Sequence, residues 1–442
     1  MRRYRHDDQL WEVAANGHEV RIRTGPVGGE LREEIRPFRT ELRALWEVDR
    51  LSAEHSQRGY VLIARDDPRP EQSADFYGAA FAQALRDRPD DIDHYLVYSD
   101  WLLSQGDPRG ELIAVQHALL SQPAADPRRR ELERKEYTLL AKHRRQLWGA
   151  LGEQVVDIDT QNYAADLFAA DWYLGFIRTA RLELLDFALP SLAGIMDEFL
   201  ALDATALLRE LTIVEQGQRD AASYGELLTA LGERAPTTLH SLSCGDPDDW
   251  DRIPRLALPA SPRLAGLRHL ALCADEVSID LDEPESAGSG LAAAVESLQL
   301  TAARDLDRLA ETLARVRWPA LRQLSLCGSR DALRYHQLQF PAGVLGPVLT
   351  GASTPALSAL TIHGSEDTDH LCQVIATSPL GARLRHLDLS YGTMSATGVQ
   401  ALLSGDLSGL DTLSVSNNYL RGADIKRLKQ VVPKLKALPQ RR

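Results

Sequence analysis

The stretch that decides the fold is Leu410-Asp411-Thr412-Leu413-Ser414-Val415-Ser416-Asn417-Asn418-Tyr419-Leu420. It fills every slot of the pattern Leu-x-x-Leu-x-Leu-x-x-Asn-x-Leu, in which alternate apolar side chains mark a short strand and the Asn closes the following turn. The same cadence, with Ile, Val, Ala or Cys as substitutes, recurs nine times from residue 177 onward. Its units begin 26 to 36 residues apart, at Ile177, Leu208, Leu239, Leu267, Val295, Leu321, Leu357, Leu384 and Leu410.

Helical spacing fills the intervals between these units, for example from Leu306 to Leu313 and from Leu371 to Ile375. We therefore predict that each unit is a short strand, a turn and a returning helix, and that the wider helices bend the stack into a horseshoe lined by a parallel sheet. The pattern resembles leucine-rich repeat proteins of the long, helix-containing kind. The predicted fold class is α/β, with a leucine-rich repeat solenoid over residues 167–442 and a surface insertion around Tyr335 to Pro347.

Residues 1–72 form a separate small α+β segment. Strand-like runs around Trp11 and from His18 to Arg23 precede a Gly-rich turn, a helical stretch from Phe38 to Val48 and a closing strand after Gly59. This order resembles the WGR domain of eukaryotic poly(ADP-ribose) polymerases and of bacterial proteins similar to a molybdate metabolism regulator. In the polymerases the Trp and Arg of the motif help contact DNA ends. Here the three motif positions hold Thr24, Gly25 and Pro26, so the resemblance implies the fold without those two groups.

Residues 73–166 form a helical segment with one distinctive string. It runs Tyr95-Leu-Val-Tyr98-Ser-Asp100-Trp101-Leu-Leu-Ser-Gln-Gly-Asp107-Pro-Arg-Gly-Glu111 and continues to Gln116. The string resembles the repeat-companion domain of bacterial proteins, which sits beside leucine-rich and other repeats; Ser99 replaces its usual Ala. We interpret Asp107 before Pro108 as a helix N-cap and Trp101 as a core anchor, and not as parts of a catalytic site.

Charge is distributed unevenly along the chain. The net charge is -13, yet residues 421–442 carry eight basic residues and one acid, a net of +7, which leaves about -20 for the remainder. We interpret the basic end as a terminal amphipathic helix that caps the last repeat, with phosphates or an acidic partner as alternative ligands. The sequence lacks both a long apolar run and the apolar core of a signal peptide, which predicts a cytoplasmic protein without membrane attachment.

Motifs of familiar enzyme classes are missing. The sequence contains no Gly-Lys-Ser or Gly-Lys-Thr phosphate loop, no His-Glu-x-x-His and no nucleophile elbow. The cysteines lack Cys-x-x-Cys spacing and are interpreted as reduced packing residues; they are Cys244, Cys273, Cys327 and Cys372. We predict a protein that is not an enzyme, with no catalytic residues and no cofactor.

One cluster contains side chains of the types that ligate metals: His363, Glu366, Asp367, Asp369 and His370. Zinc is the alternative here. We interpret the cluster instead as a polar turn followed by a helix N-terminus, where acids are favoured by the helix dipole. No metal site is therefore predicted.

Side chains alternate along a strand, so positions 1, 4 and 6 of each unit should form the core and positions 3, 5 and 7 should face the open side of the sheet. The predicted partner-binding residues are those at positions 3, 5 and 7: Glu210, Thr212, His269, Gln299, Gln323, Ser325, His363, His386, Asp388 and Ser414. This surface is polar and nearly uncharged, and its three columns contain no aromatic residue. The predicted contacts to nucleic acid or an acidic partner are Arg21, Arg23, Lys426, Lys429, Lys434 and Lys436.

Two functional hypotheses follow from these observations. The first is a non-enzymatic bacterial adaptor or sensor whose horseshoe binds a protein partner, for example an effector enzyme encoded nearby. The second is a nucleic-acid-responsive regulator that acts through the WGR-like segment and the basic end. The second is weaker, because residues 1–72 contain 13 basic and 14 acidic residues and lack the basic excess of nucleic-acid modules.

Overall fold

The computed structural model describes residues 1–66, 72, 74–153, 168–185, 192–216, 221–245, 253–281, 290–304, 306–328 and 343–441. The chain divides into two compact units. The first comprises Met1–Leu147 and Trp172–Phe176, and the second comprises Trp148–Asp171 and Ile177–Arg442. The predicted boundaries at residues 72 and 166 stay predictions. Of the insertion predicted around Tyr335 to Pro347, the part up to residue 342 lies outside the described residues.

The first unit begins with an antiparallel sheet of five strands in the order β4-β3-β2-β1-β5. Its elements are β1 (Arg2–His6), β2 (Gln9–Asn16), β3 (Glu19–Pro26), β4 (Arg32–Pro37), α1 (Glu41–Gln57) and β5 (Val61–Arg65). Trp11 packs in the core and stacks on His55 of α1, with ring centroids 3.7 Å apart. The predicted sheet, helix and closing strand are confirmed, while the WGR resemblance stays a prediction.

Among the described residues, five helices follow β5: α2 (Ala74–Asp87), α3 (Ile92–Gln105), α4 (Pro108–Leu120), α5 (Pro127–Lys142) and α6 (Arg144–Trp148). Asp107 caps α4, because its carboxylate accepts a hydrogen bond from the Arg109 backbone N–H at 2.9 Å. Ser99 Oγ donates to the Gly110 carbonyl at 2.7 Å, and a Cβ at Gly110 would lie 2.8 Å from the Leu103 backbone. The predicted N-cap at Asp107 is therefore confirmed.

The second unit is a stack of strands in one sheet of eleven, ordered β18-β17-β16-β15-β14-β13-β11-β9-β8-β7-β6. The strands are β6 (Phe168–Tyr173), β7 (Phe176–Leu185), β8 (Glu210–Gln216), β9 (Ser241–Cys244), β11 (His269–Cys273), β13 (Ser297–Ala302), β14 (Gln323–Gly328), β15 (Ala359–His363), β16 (His386–Asp388), β17 (Thr412–Ser414) and β18 (Lys434–Lys436). From β7 to β18 every described pair is parallel. This is the repeat architecture that the cadence predicts.

Helices return the chain between most of these strands. They are α7 (Leu192–Leu200), α8 (Ala221–Arg234), α9 (Leu291–Ala294), α10 (Leu306–Arg315), α11 (Gly346–Leu349), α12 (Thr368–Thr377), α13 (Pro379–Arg383), α14 (Ala396–Ser404) and α15 (Gly422–Lys429). The helices predicted around Leu309 and Leu371 are among them. Among the described residues, no helix has the length and apolar character needed to cross a membrane.

A ladder of leucines holds the stack together. Position 4 of successive strands is in register from Leu211 through Leu242, Leu270, Leu298, Leu324, Leu360 and Leu387 to Leu413. Each of these side chains is at most 2% exposed. Burying one leucine contributes roughly 1.5–3 kcal/mol, so this single row is a large part of the stabilisation of the second unit.

In their described residues, the units that start at Leu239 and Leu267 each contain an additional strand, β10 (Arg255–Leu258) and β12 (Glu276–Ile279), and these two strands form a separate parallel pair. The prediction of one helix at the basic end is wrong, because α15 stops at Lys429, and Lys434 and Lys436 lie on β18. Val432, Leu435 and Ala437 repeat the apolar cadence, so the sheet contains a tenth repeat strand.

Candidate functional site

The candidate site is the open face, defined as the side chains at positions 3, 5 and 7 of the repeat strands. Register places equivalent residues side by side, so that position 5 forms one row from Arg181 on β7 to Lys436 on β18. The row contains the half-buried or exposed Thr212, Gln299, Ser325 and Asp388. The columns predicted from the cadence are therefore confirmed as physical rows.

The predicted partner-binding residues differ in accessibility. Glu210, His269, Gln299, Gln323 and His386 are exposed, and Thr212, Ser325, His363 and Asp388 are half-buried. Ser414 is a correction, since it is only 7% exposed. Its short hydroxyl side chain lies in register between the longer side chains of Asp388 and Lys436, which leaves it little contact with solvent.

Near the C-terminal end of the open face, three functional groups come together. His363 on β15 is in register with Cys327 on β14, and its Nδ1 lies 3.6 Å from Cys327 Sγ. On the other side of the ring, Nε2 lies 3.2 Å from Asp388 Oδ1, within ion-pair distance but outside hydrogen-bond angles. Asp388 in turn accepts a hydrogen bond from the Ser390 backbone N–H at 2.9 Å. Thiol, imidazole and carboxylate thus form one connected row.

The electrostatics of this row follow from its burial and its contacts. Burial opposes a charge on His363, but the contacts with Asp388 and Cys327 outweigh it and raise the pKa of the imidazole to about 10. Burial likewise opposes the charge of Asp388, while His363 and the Ser390 hydrogen bond hold the pKa of this carboxyl below its usual range. His363 and Asp388 are therefore an ion pair over the neutral pH range.

Two members of this cluster, Cys327 and Tyr391, were not among the predicted site residues. Cys327 was assigned to packing, yet its thiol is half-buried and contacts Ser325 Oγ at 3.3 Å. Tyr391 lies beyond the three predicted columns; its ring centroid is 5.5 Å from that of His363, and 40% of the residue is exposed. The open face therefore has an aromatic neighbour. The position 7 column of the sequence already places Cys327 next to His363, but the cysteine was interpreted as a packing residue.

Tyr391 also has an unusual backbone. Its φ angle is +62°, a left-handed conformation that is rare for a bulky side chain. Its N–H donates to the Ser416 carbonyl at 2.9 Å, and its carbonyl accepts from Arg441 at 3.3 Å. Strain of this kind persists where surrounding contacts fix it, often at functional positions.

The possible metal-ligand cluster of His363 to His370 is not gathered at one point, because its members contact different neighbours. His363 pairs with Asp388, whereas Asp369 accepts hydrogen bonds from the Ser395 and Gly398 backbone N–H groups at 2.8 and 2.9 Å. Asp369 thereby fixes the start of α14 in the next repeat. Within the described ranges, no group of three or more His, Cys, Asp or Glu side chains is arranged to hold a metal ion.

The residues predicted to contact nucleic acid form two groups, and in the part of the chain that the structure describes only the two arginines have an acidic side chain beside them. Arg21 and Arg23 both face Glu33, with N–O distances of 3.4 and 2.8 Å, so their charges are partly offset. Lys426, Lys429, Lys434 and Lys436 are exposed, and no carboxylate of the described residues lies within ion-pair distance of them. Lys434 and Lys436 occupy positions 3 and 5 of β18, so they form the cationic edge of the open face.

Comparison with known proteins finds similarity only to solved structures, and at low sequence identity. The chain matches no protein-family model, and no curated protein matches it. A Bacteroides fragilis protein, solved as a structural genomics target, is 14% identical with a TM-score of 0.44, covering 99% of this chain and 96% of that chain. An internalin from Listeria monocytogenes is 15% identical with a TM-score of 0.26, covering 59% of this chain and 81% of that chain.

Proposed function

We propose that this chain is a non-enzymatic adaptor or sensor that holds a protein partner on its open face, for example an effector enzyme encoded nearby. The observation that carries the proposal is the unbroken register of the sheet. Exposed Glu210 and His386 stand six strands apart in one row. Strands are about 4.8 Å apart, so this row spans about 29 Å, which matches the width of an ordinary protein interface.

The chemistry of the open face favours a large partner over a small molecule. Small-molecule sites are enclosed and mostly apolar, with a few polar groups. The open face instead presents short and amide side chains in parallel rows, including exposed Gln299 and Gln323. Tyr391 adds the kind of rigid aromatic residue that dominates binding energy in protein interfaces.

A pair of matched double variants tests the proposal in the full-length chain. Q299R/Q323R places two large cations on the open face, whereas Q373R/Q430R makes the same change at exposed positions of α12 and at the end of α15. Each protein is used to capture partners from its native host, with quantitative mass spectrometry of the retained proteins. We expect a partner that binds the wild type and Q373R/Q430R but is lost with Q299R/Q323R.

A second comparison measures the aromatic contribution. Tyr391→Ala should weaken the purified partner's affinity by about 2 kcal/mol, because truncated aromatic anchors typically cost this much. Tyr419→Ala is the matched control, since Tyr419 is similarly exposed at 46% in the next repeat and lies beyond its strand. The proposal is wrong if the wild type retains no protein, or if both double variants lose the partner equally.

A further inference from the structure

We propose that Cys327 is a nucleophilic thiol, assisted by His363 and positioned through Asp388, which reacts with hydroperoxides to form one sulfenic acid per chain. The inference goes beyond partner binding and does not depend on it. Nucleophilic sites are recognised by a nucleophile within reach of a base that a third group orients. Sγ, the two imidazole nitrogens and the Asp388 carboxylate provide this order at 3.6 and 3.2 Å.

The neighbouring groups provide what a reacting sulfur needs at this position. An imidazolium beside a thiol stabilises the negative sulfur, and the thiolate is the reactive form. Asp388, held by the Ser390 N–H at 2.9 Å, keeps the positive charge on His363. Ser325 Oγ, 3.3 Å from Sγ, offers a hydroxyl donor to the sulfur or to an attacking molecule. Cys327 is half-buried, so a small oxidant can approach it from the open face.

The reaction needs no group that the site lacks. In the reacting form the thiol proton is on Nδ1 of His363, and the thiolate attacks the distal oxygen of the hydroperoxide. The S–O bond forms as the O–O bond breaks, so that the sulfur is oxidised by two electrons and the peroxide is reduced. The imidazolium returns the proton to the departing oxygen, and the products are the Cys327 sulfenic acid and one alcohol or water molecule.

Acyl transfer is another reaction that a thiol, an imidazole and a carboxylate in this order can catalyse, but it fits the site less well. It requires backbone or side-chain donors aimed at an oxyanion. The backbone at Cys327 lies within the sheet, in register with Thr301 on one side and His363 on the other, and not at a loop whose N–H groups point to one place. Hydroperoxide reduction needs only the thiolate, a proton donor and access, all of which are present.

The sulfenic acid cannot be resolved by the nearest cysteine in the same column. Cys273 stands two strands from Cys327, a separation of about 10 Å between strand axes. A disulfide needs Cα atoms within about 7 Å. The oxidised sulfur should therefore persist until an external thiol reacts with it, which makes it a stoichiometric modification without turnover.

The test uses the full-length protein and hydrogen peroxide as the probe. Sulfenic acid is trapped with dimedone, and labelling is measured by mass spectrometry at Cys327 and at Cys273, which is also half-buried in the position 7 column. We expect labelling at Cys327 to be about tenfold faster or more, as general acid–base assistance allows. Equal rates at both cysteines of the wild type would overturn the proposal without any variant.

Variants and pH then show whether His363 and Asp388 assist the reaction of Cys327 or only maintain the fold around it. H363Q should slow labelling at Cys327 to the rate of Cys273, and D388N should slow it partly while Cys273 is unchanged. The dependence of the labelling rate on pH at Cys327 should differ between the wild type and H363Q, because only the wild type has an imidazole beside the sulfur. Rates that depend on pH alike in wild type and H363Q, or alkylation by iodoacetamide selective for Cys327 without any sulfenic acid, would overturn it.

Discussion

His363 links folding and pH at the scale of a single residue. Its pKa is raised from 6.5 to about 10 by Asp388 and Cys327, against the effect of burial. Because the folded pKa lies above the unfolded one, protonation of His363 stabilises the fold. This contribution is complete below pH 6.5 and is lost as the pH rises through about 10. At the acidic end, the same pair is weakened when Asp388 gains a proton below its already lowered pKa.

We therefore expect His363→Gln to lower the free energy of unfolding by about 2 kcal/mol near pH 6, a value between those typical of exposed and of buried ion pairs. The difference from wild type should shrink steadily toward pH 10. Urea denaturation at a series of pH values measures it. His386→Gln, an exposed histidine on the neighbouring strand β16, is the control. A difference for His363→Gln that stays constant with pH would contradict this linkage.

Asn418, the Asn of the Leu410–Leu420 repeat motif, connects the turns after β16 and β17 through hydrogen bonds of its side chain. Its side chain is fully buried; Nδ2 donates to the Leu389 and Val415 carbonyls at 2.9 and 3.1 Å, and Oδ1 accepts from the Met394 N–H at 2.8 Å. Asn418→Ala leaves these backbone groups unsatisfied and should cost about 3 kcal/mol in unfolding free energy. Asn418→Asp keeps the acceptor but loses the donor, and should also destabilise. A cost within about 0.5 kcal/mol for both, the range of ordinary surface changes, would refute the role.

Part of the candidate site was predictable at this scale. Alternation alone placed His363 and Asp388 on the open face, because a buried leucine row leaves intervening side chains on the other side. It also placed Cys327 in the column of His363, but it did not reveal their contact, which depends on register between units 36 residues apart. Nor did it reveal Tyr391, whose position depends on a left-handed turn outside the strand pattern.

Among the elements, β18 is one of the two edge strands of the eleven-stranded sheet. Its outer edge presents backbone groups that another strand can pair with, and edge lysines are a common protection against this. Replacing Lys434 and Lys436 by Gln should therefore produce concentration-dependent self-association without loss of secondary structure. Sedimentation velocity measures it.

The control for this prediction is K426Q/K429Q, which removes the same charge from α15. It should remain as monodisperse as the wild type. Self-association of equal strength in both double variants would show that net charge, and not the strand edge, keeps the chains apart.

The elements that sequence analysis missed share a physical cause. Strand β1 has the polar sequence Arg-Arg-Tyr-Arg-His, and it is held by the buried ion pair of Arg2 with Asp49 at 2.5 Å, 47 residues away in the sequence. Strands β10 and β12 have short alternating sequences, Leu-Ala-Leu and Val-Ser-Ile, which form a sheet only because they meet each other. These strands depend on contacts with distant residues, which a local sequence pattern does not show. The repeat strands are predictable because each carries the same leucine pattern as the strand it pairs with.

For the molecule as a whole, charge argues against binding to nucleic acid. The net charge is -13, and Arg21 and Arg23 share Glu33. We expect no gel shift of duplex DNA even at about 50 mM salt, where phosphate contacts are strong. Glu33→Gln removes the shared acid and should produce at most weak, salt-sensitive binding. A shift by wild type that Arg21→Gln with Arg23→Gln abolishes would instead support the nucleic-acid hypothesis.

Stability and recognition are carried by different residues of the same strands. Leu298 and Leu324 are at most 2% exposed, while their neighbours Gln299 and Gln323 are accessible. Mutation can therefore exchange the accessible set freely while the leucines keep the stack folded, because exposed substitutions away from special contacts usually change stability by less than about 0.5 kcal/mol. A gene with this layout can acquire a new partner by accumulating surface changes, without first passing through an unfolded intermediate.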